Sequence, residues 1–328
     1  MAVIARLQAL RARYPLSPER YSQIAFAALV LLVVIVLTGA AVRLTGSGLG
    51  CPTWPKCTDT SVRPTADSYG IIEFSNRVLT SVVSAAAILA WLGAFFRVPA
   101  RRDLMWLAIL LPIGVAVQAV VGGVSVLAGL APGWVMAHYT LSMIILVAAF
   151  ALWWRSRPNL EPQQADRATV LLVRALTLLA AVAIVLGTAS TAAGPHAGAS
   201  GTGEFVGRLH WFGEDTLRVV IHVHGYVVTA LGLGTIVAWW RSRAHGTREL
   251  QLTLLATLAL LALQGIVGIT QYELQLPTEI VWVHVALATL TWVGFVHAWA
   301  AAMPAERERS AAAAPRQAAP AGRGLESA

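Results

Sequence analysis

Eight apolar stretches recur along the chain, and polar residues separate them. They lie at about residues 21–42, 71–96, 104–127, 135–154, 169–192, 216–240, 250–272 and 280–303. A helix needs roughly 20 residues to cross the hydrocarbon core of a bilayer, and helices satisfy their own backbone hydrogen bonds inside lipid. The pattern therefore predicts an all-α polytopic membrane protein with eight transmembrane helices.

Arginines between the stretches predict the orientation in the membrane. They are frequent in residues 1–20 and after every second stretch, as with Arg97, Arg101, Arg102, Arg155, Arg157, Arg167, Arg241, Arg243 and Arg248. The opposite connections hold few basic residues, namely Arg43, Lys56, Arg63 and Arg208. Because basic loops stay in the cytoplasm, we expect a plasma-membrane protein with a cytoplasmic N-terminal segment, 1–20, and a cytoplasmic C-terminus.

Composition supports a membrane protein and argues against a nucleic-acid partner. Hydrophobic residues make up 57% of the chain and charged residues 12%, with a formal net charge of +8. The positive charges form short clusters between apolar stretches rather than one patch, so the lipid bilayer is the expected partner. The tail, 304–328, is rich in Ala, Pro and charged residues and is expected to be disordered.

Two pairs of residues indicate an internal repeat. Gln118 and His138 are 20 residues apart, and so are Gln264 and His284, which follow them at a common offset of 146. The offset predicts two pseudo-repeated four-helix bundles, residues 21–157 and 158–303. Under the same offset, Asn76 corresponds to His222.

The histidines of the second half are candidate iron ligands. His222 and His284 begin alternate helices, and paired imidazoles in a four-helix bundle suit axial ligation of a haem. His224 points to nearly the opposite side of its helix from His222, so only one of the two can face the bundle axis. The repeat favours His222 and leaves His224 as the alternative. A polar contact between helices is the other interpretation of any single histidine.

Polar residues at the start of the second stretch are candidates for chemistry. Glu73, Asn76 and Arg77 have the spacing that places side chains on one helix face, and charges within a membrane span usually mark a functional interior. Asn76 and His138 would form the first half's counterpart of the histidine pair, with Asn76 a poor iron ligand. Glu73 is then a candidate base, proton relay or electrostatic stabiliser. The alternative is an ion pair with Arg77 that only neutralises the helix end.

The two cysteines of the chain share one short loop. Cys51 and Cys57 are separated by five residues. If the loop faces an oxidising compartment, a disulfide is expected. Two free thiols without a role are the alternative.

Several motifs together resemble one family. They are Thr-Gly-Ser-Gly-Leu-Gly-Cys-Pro-Thr-Trp-Pro-Lys-Cys (Thr45–Cys57), Ile-Ile-Glu-Phe-Ser-Asn-Arg (Ile71–Arg77), Ala-His-Tyr-Thr-Leu-Ser-Met (Ala137–Met143) and Gly-Pro-His-Ala-Gly (Gly194–Gly198). Over about residues 20–303 the chain resembles the haem A synthase family of bacteria and mitochondria. The resemblance implies a membrane-bound haem-modifying oxidoreductase that oxidises the C8 methyl of haem O to the formyl of haem A for cytochrome c oxidase.

The resemblance also implies roles for individual residues. It places a b-type haem between His222 and His284, and substrate haem in the first half near Glu73, Asn76, Arg77 and His138, with the loop pair Cys51 and Cys57 above. One departure is that the family's Glu-x-x-His-Arg motif has Asn76 at the His position. The implied partners are the haem O synthase, the cytochrome c oxidase assembly machinery and an electron acceptor that the sequence does not identify.

Two other functions remain open at the level of the sequence. One is a dihaem b-type electron carrier that performs no chemistry on the haem. The other is a transporter built from repeats. An electron carrier would want histidine pairs in both halves, so the unequal polar residues of the two halves favour an enzyme.

Overall fold

The computed structural model describes residues 9–64, 66–158 and 165–302. Within these ranges, eight helices are long and apolar enough to cross a membrane, which confirms the predicted fold class. They are α1 (Pro18–Leu44), α2 (Ser68–Phe96), α3 (Arg102–Leu127), α4 (Pro132–Ser156), α5 (Arg167–Ala193), α6 (Thr216–His245), α7 (Arg248–Glu273) and α8 (Thr278–Ala301). A four-residue strand, β1 (Trp211–Glu214), precedes α6.

Capping residues let some helices begin a few residues before their apolar stretches. Ser17 accepts a hydrogen bond from the backbone N–H of Arg20, and Pro18 occupies the first turn of α1, both of which favour a helix start. The first span consequently begins three residues inside the segment 1–20 that we expected to precede it. Asp67 caps α2 in the same way. The predicted disordered tail, 304–328, lies outside the described residues.

The helices form two groups of four with the same order of neighbours. In the first group α1 contacts α2 and α4, and α3 contacts α2 and α4; in the second, α5 contacts α6 and α8, and α7 contacts α6 and α8. The groups meet through α1, α4, α5 and α8. Two indole N–H groups donate across this junction, from Trp292 to the Met143 carbonyl and from Trp282 to the Leu37 carbonyl. The two groups therefore share one order of helix contacts.

The two ends of the helix bundle are held together differently. At one end, which we call the basic end, ion pairs link the ends of different helices: Arg155 with Asp103, Arg157 with Glu249, and Arg241 with Asp166. At the other end, which we call the loop end, the connections 45–67 and 194–215 contact each other. The Gly48 N–H donates to the Gly198 carbonyl at 2.8 Å. The loop end therefore joins both groups of helices above their interior.

Candidate functional site

A cavity of about 520 Å³ lies between the helices, and all eight helices contribute to its walls. This volume falls in the range of small-molecule and cofactor sites, roughly 300–1,000 Å³. The walls are mostly apolar. The charged, amide and imidazole side chains that line the cavity are Arg43, Glu73, Asn76, Arg77, Gln118, His138, His224, Gln264 and His284.

His224 and His284 face each other across the second half of this cavity. Their ring centres are 6.4 Å apart and their planes are inclined at 60°. His222 is exposed on the outer side of α6, where its Nδ1 lies 2.7 Å from the Arg218 carbonyl oxygen. The expectation that His222 faces the interior is therefore wrong, and the alternative, His224, occupies that position. Two residues turn a helix by about 200°, so the two rings point to opposite sides.

The error arose because no single offset relates the two halves. The starts of α2 and α6, Ser68 and Thr216, are 148 residues apart. Gly39 lies beside Asn76 and Gly187 beside His224 in equivalent contacts, and these pairs also differ by 148. The glutamine and histidine pairs in the last two helices of each half keep 146. An offset of 148 therefore relates the starts of α2 and α6, whereas the later pairs keep 146, and under the offset of 148 Asn76 pairs with His224.

His138 and His284 sit in matching surroundings in the two halves. The Nε2 of Gln118 donates to the His138 carbonyl at 2.9 Å, and the Nε2 of Gln264 donates to the His284 carbonyl at 3.1 Å. A Cβ on Gly122 would lie 3.0 Å from Cε1 of His138, and one on Gly268 would lie 3.1 Å from Cε1 of His284. Both imidazoles therefore pack directly on helix backbone, and a larger residue would displace them.

The same two imidazoles carry unsatisfied polar atoms. Nδ1 of His138 and Nδ1 of His284 are buried and have no hydrogen-bond partner among the described residues. Buried polar atoms are usually paired, and each exception calls for an explanation such as an absent ligand or ion.

Asn76 lines the same cavity as His138. The Thr38 hydroxyl donates to Asn76 Oδ1 at 2.7 Å. With its oxygen held by Thr38, the side chain of Asn76 has a fixed orientation. The structure therefore places Asn76 and His138 in the lining of one cavity.

Glu73 is buried and both of its oxygens are engaged. Oε1 accepts from Arg77 Nη2 at 2.6 Å, and Oε2 accepts from the backbone N–H of Cys51 at 2.6 Å. Arg77 also donates to the carbonyls of Cys51, Thr53 and Lys56. The ion pair considered from the sequence is present, and it holds a cavity-lining carboxylate in place rather than only neutralising a helix end.

The loop above Glu73 is closed by a disulfide between Cys51 and Cys57, as predicted. Trp54 and Pro55 of this loop line the cavity. The Trp54 indole lies against α3 at Gly123, where a Cβ would come within 2.5 Å of the ring. The loop therefore covers the loop end of the first half of the cavity.

Arg43 is the residue that sequence reasoning missed. We counted it among the few basic residues of a connecting loop, but it belongs to the last turn of α1 and lines the cavity. The sequence offered one indication of this role: Arg43 lies one residue beyond an apolar stretch, so its long side chain can still reach the space between the helices. Among the described residues, no group of three or more His, Cys, Asp or Glu side chains converges to hold a metal ion.

The chain matches the model of one protein family and is similar to several curated proteins. The model of the COX15-CtaA family, described as cytochrome oxidase assembly protein, matches residues 22–296. A protein named Heme A synthase from Lysinibacillus sphaericus is 32% identical over 129 residues, which are 39% of this chain and 42% of that protein. Heme A synthase from Listeria welshimeri is 32% identical over 118 residues, 35% of this chain and 39% of the relative. The matched region thus spans about two fifths of the length of these curated relatives.

Proposed function

Because the chain belongs to the COX15-CtaA family of cytochrome oxidase assembly proteins, we propose that it is a haem A synthase. In this proposal it oxidises the C8 methyl of haem O to a formyl group to give haem A for cytochrome c oxidase. The observation that carries the proposal is one cavity whose lining includes three histidines, an amide side chain from Asn76 and the buried carboxylate of Glu73. The relatives named Heme A synthase support it.

The second half fits a b-type haem between His224 and His284. With a metal–nitrogen bond of roughly 2 Å on each side, two imidazoles on opposite faces of one iron have ring centres roughly 6 Å apart. The observed separation is 6.4 Å. Gly187 leaves room beside the His224 ring, and Gly268 does so beside the His284 ring. These two residues, rather than His222, are our proposed axial ligands.

The first half fits a substrate haem held from one side. His138 supplies one imidazole, and Asn76, with its oxygen bound by Thr38, does not supply a second. A haem bound here would provide the redox chemistry of its iron next to the methyl group to be oxidised. With water as the source of the oxygen atom, conversion of the methyl to a formyl group (CH3 + H2O → CHO + 4 H+ + 4 e−) releases protons and electrons, so the proposal requires an electron acceptor.

Glu73 is the proposed catalytic residue of this half. Its carboxylate is the one acidic side chain among the cavity-lining residues of the described chain. The Cys51 N–H and the Arg77 guanidinium fix both of its oxygens, so it is oriented before the ligand enters. A carboxylate held in this way can accept a proton or stabilise positive charge that develops on the ligand.

We propose that residues 21–157 and 158–303 are pseudo-repeated halves, the first for substrate haem and the second for haem b. The arginine-rich basic end faces the cytoplasm of a cell in whose plasma membrane the protein lies, which places both termini inside. The haem O synthase and the cytochrome c oxidase assembly machinery are its proposed partners.

The decisive experiment identifies the haems extracted from the purified protein and from its Glu73→Ala variant. We expect haem O and haem A beside haem B in the wild type. The variant should form no haem A but keep the spectrum of the b-type haem, because Glu73 belongs to the other half of the cavity. A matched control is Glu273→Ala, which removes an exposed carboxylate at the end of α7 and should leave haem A formation unchanged.

Other outcomes separate the competing functions. Haem B alone in the wild type would favour an electron carrier, and no haem would favour a transporter. Normal haem A in the Glu73→Ala variant would contradict the role of Glu73 while leaving the synthase proposal intact.

A further inference from the structure

Arg43 occupies the junction of the two halves at the loop end of the cavity. It stands in the last turn of α1, in the first half. Its guanidinium reaches the second half, where Nε donates to the His196 carbonyl at 3.1 Å and Nη2 donates to the Thr191 carbonyl at 3.3 Å. Thr191 belongs to the last turn of α5 and also lines the cavity. Arg43 therefore faces an interior space from a position that both halves share.

The charges around this cavity do not balance. Besides histidines, the charged side chains in its lining are Arg43, Arg77 and Glu73. Arg77 is paired with Glu73 at 2.6 Å. Among the described residues, no carboxylate pairs with Arg43. The partial negative charge of the α5 C-terminus offsets part of the positive charge. Arg43 is half-buried, and a charge that is partly removed from water is stabilised by a counter-ion.

The hydrogen bonds of Arg43 leave one side of the guanidinium free. An arginine has five N–H donors, and the two carbonyl contacts use Nε and one hydrogen of Nη2. Nη1 and the second hydrogen of Nη2 have no acceptor in the described part of the chain. These atoms form the edge that binds a carboxylate with two parallel hydrogen bonds.

From these observations we propose that Arg43 binds a carboxylate of the cavity's ligand and thereby fixes its orientation between the halves. The inference rests on the proposed function, under which the ligand is a haem and the carboxylate is one of its propionates. Arg43 is then a ligand-binding residue that holds the propionate edge toward the loop end. Under this proposal, the residues that would face the iron lie further from their helix ends than Arg43 lies from the end of α1. They are Asn76, His138, His224 and His284.

The test compares haem b with its dimethyl ester, in which both propionates are uncharged. Protein produced under haem depletion is titrated with each form in detergent, and binding is followed by the Soret absorbance. Hydrogen bonds to a charged group are stronger than neutral ones, so we expect a preference of about tenfold or more for the free acid. Arg43→Gln should remove most of this preference, and Arg43→Lys should keep part of it.

Controls separate this inference from loss of folding and from failure of the proposed function. Arg208→Gln, an exposed change in the connection 194–215, should keep the wild-type preference for the free acid. Circular dichroism measures the helical content of each variant. The wild-type comparison needs no variant: equal affinity for the acid and the ester overturns the inference but not the proposed function. A full preference retained in Arg43→Gln also overturns it. Binding of neither form contradicts the proposed function itself.

Discussion

His224 and His284 stand with their ring centres 6.4 Å apart on α6 and α8, and His222 lies outside the cavity. We therefore expect His224→Ala and His284→Ala each to lose the b-type haem, because one imidazole alone leaves one face of the iron unligated. Absorbance spectra and the haem-to-protein ratio measure this loss. His222→Ala is the matched control from the same helix and should retain the haem. Loss of haem in His222→Ala with retention in His224→Ala would reverse the assignment.

The contact between Gly268 and His284 gives a second prediction. A side chain on Gly268 would meet Cε1 of His284 at 3.1 Å for its Cβ alone, so Gly268→Val should displace the imidazole and lower the bound haem b severalfold. Gly265→Ala is the control on the same helix, since nothing lies within 4 Å of its added Cβ. That variant should keep its haem and gain up to about 1 kcal/mol in helix stability. Equal haem content in both variants would contradict the role of the glycine.

The equivalence of Asn76 and His224 predicts the effect of restoring an imidazole. Gly39 beside Asn76 corresponds to Gly187 beside His224, so the first half has comparable room for a ring. We expect Asn76→His to hold a second haem more tightly and to give the low-spin spectrum of two axial imidazoles. Asn76→Gln serves as the control for side-chain size, and an Asn76→His spectrum identical to the wild type would refute the equivalence.

Arg77 couples the disulfide loop to Glu73, which leads to a prediction about the loop. Its guanidinium contacts Glu73 and three loop carbonyls. A lysine keeps the charge but lacks the planar fork needed for these contacts. Arg77→Lys should increase hydrogen exchange in residues 51–57 and reduce haem A formation, with the haem b spectrum unchanged. Arg63→Lys, an exposed change in the same loop, should affect neither measurement.

Removal of the disulfide gives a separate prediction for stability. The loop that it closes is short, and the chain-entropy model assigns about 2 kcal/mol to a ring of this size. Replacing Cys51 and Cys57 together by serine should lower the free energy of unfolding by about this amount. It should also free the Cys51 N–H from Glu73. Thermal unfolding in detergent measures the first effect, and an unchanged melting temperature would show that Arg77 and Trp54 alone hold the loop.

Much of the fold followed from local patterns in the sequence. Each apolar stretch became one helix, because length and hydrophobicity decide whether a segment spans a membrane. Their ends moved by a few residues where caps such as Ser17 extended them. The disulfide and the motif around Glu73 could also be predicted, since both depend on residues close together in the chain.

The site depended on relations between distant segments. Whether His222 or His224 faces His284 depends on how α6 is rotated about its axis, and an offset between distant sequence positions does not define that rotation. The sequence shows Arg43 only as a basic residue at the edge of a span, whereas the fold brings it to the carbonyls of Thr191 and His196. The sequence alone determined which segments are helices, because hydrogen bonding and hydrophobicity act locally. Only the tertiary structure decided which side chains share the cavity, because helix rotation and packing are set by contacts across the whole chain.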